Sequence, residues 1–242
     1  MALNNSSKAN KGNILRIFTG DLIENQLKTS VGHNYDPTIA DPAMQKDGMI
    51  EILKDTNKHL YGEDYWRKLK INDSNEQENI LSVAVDGNHE YRSRKASGQW
   101  ITKDMCEASK TLYLGMSSII DLTIVNKKLK LEKNYKLYVA HKPSKGDATS
   151  PEAILRAFRK KQSTLPGVDI FIFGHFHRKF VSANGYFDTK AKCFRKVLYV
   201  INPSPVCGLE YAEEAGYPPL EIGYHVDCFL PLDPLAEVWS KI

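Results

Sequence analysis

No Cys-x-x-Cys pair occurs in the chain, and its four cysteines (Cys106, Cys193, Cys207, Cys228) are widely spaced. That excludes the usual structural zinc module and reads as ordinary thiols, mostly buried, of a cytoplasmic protein. No apolar run approaches the roughly 18 residues of a membrane-spanning helix. The opening "MALNNSSKANKG" has no apolar core and is no secretory signal. Internal repeats are absent, and no linker is long enough to divide domains. Strong charge is missing too. A formal net charge of +4 permits an acidic or phosphorylated ligand without demanding nucleic acid. Lys127, Lys128, Lys130, Lys133 and Lys136 cluster around an expected hairpin and read as a solvated face.

What is present is enough apolar material for a core: 42% of 242 residues are hydrophobic. Residues 1–12 are polar and read as a disordered segment, and residues 13–242 as a single domain. A strand is expected at 14–19, then a loop over 26–40. A helix follows from about Pro42 to Leu60, with Asp41 as N-cap and Pro42 at its first position. A polar connection covers 61–79. "ILSVAV", 80–85, is a strand covered on both faces, breaking into a polar turn, "DGNHEYR". A short helix over 103–114 is capped by Thr102. Strands at 118–125 and 135–141 flank the lysine-rich turn. A helix over 149–162 is capped by Ser150. Strands at 168–174, 178–182, 196–202 and 222–230 complete the chain.

Four strand tips carry residues of the metal-binding type: Asp21 in "TGDLIEN", Asn88 and His89 in "DGNHEYR", His141 in "VAHKP", and His175 and His177 in "FGHFHRK". Open α/β sheets place chemistry at such tips. Glycine before three of them lets the backbone turn sharply and a ligand come close. Imidazole, carboxylate and amide donors together suit Mn, Fe, Zn or a similar divalent ion rather than calcium. His33, His59 and His225 fall outside these motifs and read as surface or core.

The order GD, GNHE, H, GHxH resembles the calcineurin-like metallophosphoesterase superfamily, over about residues 14–230. "INPSP", 201–205, sits where members carry an Asn-Pro-Gly-Ser-like turn, and "GDLIENQLKTSVG" is similar to phage and prophage members. The resemblance implies an α/β fold, a four-layer α-β-β-α sandwich, here lacking its first strand. It implies that Asp21 bridges two divalent metal ions, that Asn88, His141 and His175 complete the second site, and that His177 binds the first. It places His89 beside the scissile phosphate as a proton donor. Two such ions can clamp a phosphoryl group and activate water, so the implied activity is hydrolysis of phosphomonoesters or phosphodiesters. Arg92 reads either as a contact to a phosphate oxygen or as a surface arginine with a carboxylate partner. GNHE also occurs in protein phosphatases, which pair it with an arginine in a GDxxDR motif. Glu24 and Asn25 stand there instead, so that activity is discounted.

One departure stands out. The family opens with Asp-x-His on an earlier strand, which supplies two ligands of the first metal. Residues 1–20 contain none, and the expected position lies upstream of Met1. A truncated chain, a late start and a natural one-metal variant all fit. Two rival readings follow: a remnant that binds one metal or a phosphate-bearing partner without catalysis, and a DNA or RNA nuclease, which needs a basic groove beside the metals.

Overall fold

The computed structural model describes residues 15–25, 41–63, 82–126, 130–143, 150–176, 179–189 and 192–203. The expected disordered segment, the 26–40 loop, most of the 61–79 connection, the 222–230 strand, His33, His177, His225, Cys207, Cys228, Lys127 and Lys128 lie outside them. The fold is mixed α/β, with four helices and two sheets among the described residues. Contacts divide the chain into two compact units, one up to Met116 and one from Ser117. No described helix is long and apolar enough to cross a membrane.

The first unit holds a three-stranded parallel sheet in the order β1-β2-β3. Its strands are β1 (Arg16–Phe18), β2 (Ser82–Ala84) and β3 (Leu112–Tyr113). Arg16 pairs with Ser82 and Phe18 with Ala84, so the GD and GNH motifs leave the sheet side by side. The ladder runs past β2, with Val85 N–H donating to Phe18 O and Asp86 N–H to Gly115 O.

Helix α1 (Pro42–Tyr61) starts where the sequence places it. The Asp41 carboxylate accepts from Ala43 and Met44 N–H. Its buried residues Leu53, Asn57, Leu60 and Tyr61 follow helical spacing. Leu53 packs with Ile23, Ile101 and Met105, next to Phe18, Leu22, Met49 and Ile50.

Two local expectations are corrected here. The "DGNHEYR" segment is not a turn: Asn88 opens helix α2 (Asn88–Ser97). Few of its residues are apolar, so periodicity could not reveal it. A buried Glu90 and a left-handed Gly98 cap start and stop it instead. The next helix, α3, is Ile101–Ser109, with Trp100 in cap position and no side-chain cap bond. Thr102 is buried within its first turn, where its Oγ1 has no hydrogen-bond partner among the described residues. Lys110, at φ +58°, ends the helix, and Leu112–Tyr113 join the sheet as β3.

The second unit holds a five-stranded sheet in the order β4-β5-β6-β8-β7. β4 (Ser117–Asn126) and β5 (Leu131–Ala140) form an antiparallel hairpin, as do β7 (Phe180–Asp188) and β8 (Cys193–Ile201). The four-residue β6 (Ile170–Phe173) runs parallel between β5 and β8. Helix α4 (Pro151–Thr164), capped by Ser150 as expected, buries Ile154 and Phe158. These join Tyr138, Phe171, Phe173 and Tyr199 in the core. Phe158 stacks on Tyr199, ring centres 4.6 Å apart.

The two described cysteines differ sharply. Cys193 is exposed, while Cys106 is buried. Burial, then the carboxylates of Asp86, Glu90 and Glu107, push the Cys106 thiol up to about 12, and a thiol is inert as such. Iodoacetamide on the native protein is expected to modify Cys193 and spare Cys106, read by peptide mass mapping. Equal labelling would contradict this burial.

Candidate metal centre

In the first unit the two glycine motifs interlock. A Cβ on Gly20 would sit 2.5 Å from Gly87 Cα, and one on Gly87 would overlap the Asp21 amide nitrogen and Oδ1. Both positions must be glycine for the loops to pass this closely. Gly20, at φ +86°, also uses the left-handed freedom that glycine supplies.

A single carboxylate organises the crossing. Glu90 is 2% exposed. Its Oε2 accepts from Asp21 N–H (3.1 Å) and Gly87 N–H (3.1 Å). Its Oε1 accepts from Leu22 N–H and from Ile23 N–H (3.2 Å). The Gly87 bond is the return half of a capping box; the other three clamp the GD loop. Burial and the Asp21 charge push the Glu90 carboxyl upward, and the backbone donors pull it back. Sequence reasoning treated Glu90 only as a mark of phosphatase kinship. The usable signal was its place three residues into a helix that begins at a glycine.

This clamp fixes Asp21 and His89. Asp21 has a left-handed backbone, φ +52°, and its Oδ1 accepts His89 N–H at 3.0 Å. The imidazole lies between two acids, with Nε2 3.8 Å from Asp21 Oδ2 and Nδ1 3.3 Å from Glu24 Oε2. Burial pulls the His89 pKa down; the Glu24 hydrogen bond and the charges of Asp21 and Glu24 outweigh it, and the net direction is up. Asn25, fully buried, donates to His89 O (2.6 Å) and accepts from Ser93 Oγ (3.0 Å), fastening the far end of the loop. Glu24 and Asn25 are the residues that sequence reasoning undervalued: they replace a phosphatase motif, and here they hold His89. Arg92 takes the carboxylate-partner position. Its Nη1 donates to Glu24 O at 3.3 Å and lies 3.9 Å from Glu24 Oε1. Asn88 opens α2 beside these groups in the chain.

In the second unit the parallel register of β5 and β6, Ala140 opposite Phe173, brings two motif histidines together. Gly174 N–H donates to His141 O. His175 then takes φ +70°. His141 Nε2 and His175 Nδ1 end 3.1 Å apart. Two nitrogens each about 2.1 Å from one ion and at right angles to each other would be about 3.0 Å apart. The pair therefore fits cis ligands of a single cation as well as it fits one shared proton. Within this unit the two imidazoles are donors suited to Mn, Fe or Zn.

Compared with known proteins, the chain matches no family model and no curated protein.

Proposed function

We propose that this protein is a metal-dependent phosphoester hydrolase of the calcineurin-like metallophosphoesterase kind, with the four-layer sandwich of that family. The observation that carries the proposal is the pair of motif histidines, 34 residues apart in the chain, with ring nitrogens 3.1 Å apart. In this reading, which follows the motif resemblance, Asp21, Asn88, His141 and His175 hold one divalent ion, and His177 and Asp21 contribute to a second. A bound divalent ion supplies Lewis-acid polarisation of the phosphate and a more acidic water.

The protein's own groups do the rest. His89 carries a proton beside Asp21 and donates it to the leaving oxygen. Glu24 holds the Nδ1 edge, leaving Nε2 as the donating atom. Arg92 offsets the charge of Glu24, which keeps that carboxylate from competing for the cation.

A second reading is favoured by one fact: no Asp-x-His occurs anywhere in the 242 residues. Asp21 and His177 alone are fewer donors than a divalent site usually uses, so this polypeptide is expected to hold one ion tightly, with weak turnover or binding alone. Metal analysis beside bis-p-nitrophenyl phosphate turnover decides between the two. Turnover with manganese(II), removed by a chelator and by His175→Ala, supports the hydrolase. One tightly held ion without turnover supports the binding reading. A chain that holds no divalent metal, and is indifferent to His175→Ala, would overturn both.

A further inference from the structure

Beyond the groups that hold Asp21, helix α2 carries a second set of side chains. Asn88, Tyr91 and Lys95 share one stripe of this helix by their i, i+3 and i+7 spacing, while Glu90 and Ser93 are buried. Arg94 Cζ lies 3.5 Å from the centre of the Trp100 ring and 5.5 Å from that of Tyr91. Lys95 Nζ lies 5.0 Å from the Tyr91 ring centre. Gly98, at φ +77°, ends the helix and turns the chain so that Trp100 meets Arg94. Trp100 meets Tyr113 edge to face, and the Tyr113 hydroxyl donates to Asp86 Oδ2 at 2.5 Å. Asp86 immediately precedes Gly87. The stack is thus tied at one end to helix α2, which opens with Asn88 and His89, and at the other to Asp86 just before it.

Core packing does not account for it. Trp100 remains 40% exposed and Lys95 is exposed. Beside Arg92, which Glu24 engages, Arg94 and Lys95 sit on a short helix whose only acid is the buried Glu90. From Asn88 to Arg94 the helix rises about 9 Å, within the reach of one nucleotide.

We infer that this stack is a platform for the organic part of the substrate, and that the substrate is a nucleoside phosphate. The inference rests on the phosphoester reading above. Planar guanidinium and indole surfaces stack on nucleobases of any sequence, and the neighbouring cations meet phosphate oxygens. A sugar phosphate without a base would gain nothing from the stack.

The test is binding rather than turnover, with the full chain and manganese(II) present. Adenosine 5′-monophosphate and ribose 5-phosphate share the phosphate and sugar and differ in the base. Adenosine 5′-monophosphate is expected to bind about tenfold more tightly. Trp100→Ala should remove that advantage and leave ribose 5-phosphate binding unchanged. Trp100→Phe, which keeps a stacking face, should restore most of it, and circular dichroism confirms that each variant folds. A short oligothymidylate separates the two sources of a nucleoside phosphate: tighter binding than thymidine monophosphate identifies a strand, equal binding a mononucleotide, and either supports the platform. Equal binding of adenosine 5′-monophosphate and ribose 5-phosphate by the unaltered protein overturns the platform alone. Failure of both to bind overturns the phosphoester reading and this inference with it.

Discussion

Gly87→Ala is expected to destabilise the first unit by about 3 kcal/mol, at the upper end of what overpacking costs. The added methyl would occupy the space of the Asp21 amide nitrogen and Oδ1, and would stand 2.6 Å from Glu90 Oε2. None of these atoms is the loose end of a flexible chain. The Asp21 amide is bonded to Glu90, Asp21 Oδ1 accepts from His89 N–H, and Glu90 serves three further backbone donors. Relief therefore means parting the two loops, which leaves buried N–H groups unpaired. Urea unfolding should show a lower midpoint with an unchanged slope, and metal affinity should fall alongside. Gly20→Ala should behave similarly, with backbone strain added at φ +86°. A Gly87→Ala protein as stable and as metal-competent as the parent would mean that the loops do not cross as described.

His89→Ala in the metal-loaded protein is expected to lower hydrolysis of esters with poor leaving groups by roughly 10²–10⁴-fold. Esters of p-nitrophenol should lose far less, because that leaving group needs no proton. The difference follows from the geometry: Glu24 Oε2 lies 3.3 Å from His89 Nδ1 and orients the ring so that Nε2 is the donating atom. Glu24→Gln should act in the same direction and more weakly, since it removes the charge but keeps a partner for Nδ1. The measurement is kcat/KM across a series of leaving groups. Equal losses along the series would exclude general-acid catalysis by His89.

Much of this was legible in the sequence because the signals were local. Asp41-Pro42 and Ser150-Pro151 mark their helix starts by capping chemistry alone, and both helices begin there. The apolar runs before Asp21, Asn88 and Gly174 revealed three strands; β2 and β6 are buried throughout, as a strand covered on both faces requires, while β1 is half-buried. Helix α2 was not legible. It is polar nearly throughout, and its stability comes from tertiary bonds between Glu90 and a loop about seventy residues earlier, which no window of sequence contains. For the same reason Glu24 and Asn25 stood in the sequence as replacements in a familiar motif. Only the register Arg16 to Ser82 and Phe18 to Ala84 shows that they face His89. The Trp100 platform was invisible too. A tryptophan after a glycine turn reads as an ordinary loop residue until Arg94 is found over its ring.

The strand order of the second sheet carries a consequence for how the histidine pair comes into being. Two antiparallel hairpins, β4–β5 and β7–β8, flank the short β6, which touches each of them only through parallel pairing. Hairpins close locally and early, whereas parallel pairing must await a crossover and pays for a longer loop. His141 leaves the first hairpin and His175 leaves β6, so neither hairpin contains the pair. The two imidazoles meet only when α4 has folded across and β6 has docked. Formation of the histidine pair is therefore tied to the slowest step of assembling this sheet, and a chain emerging from synthesis presents two isolated histidines until that step is complete.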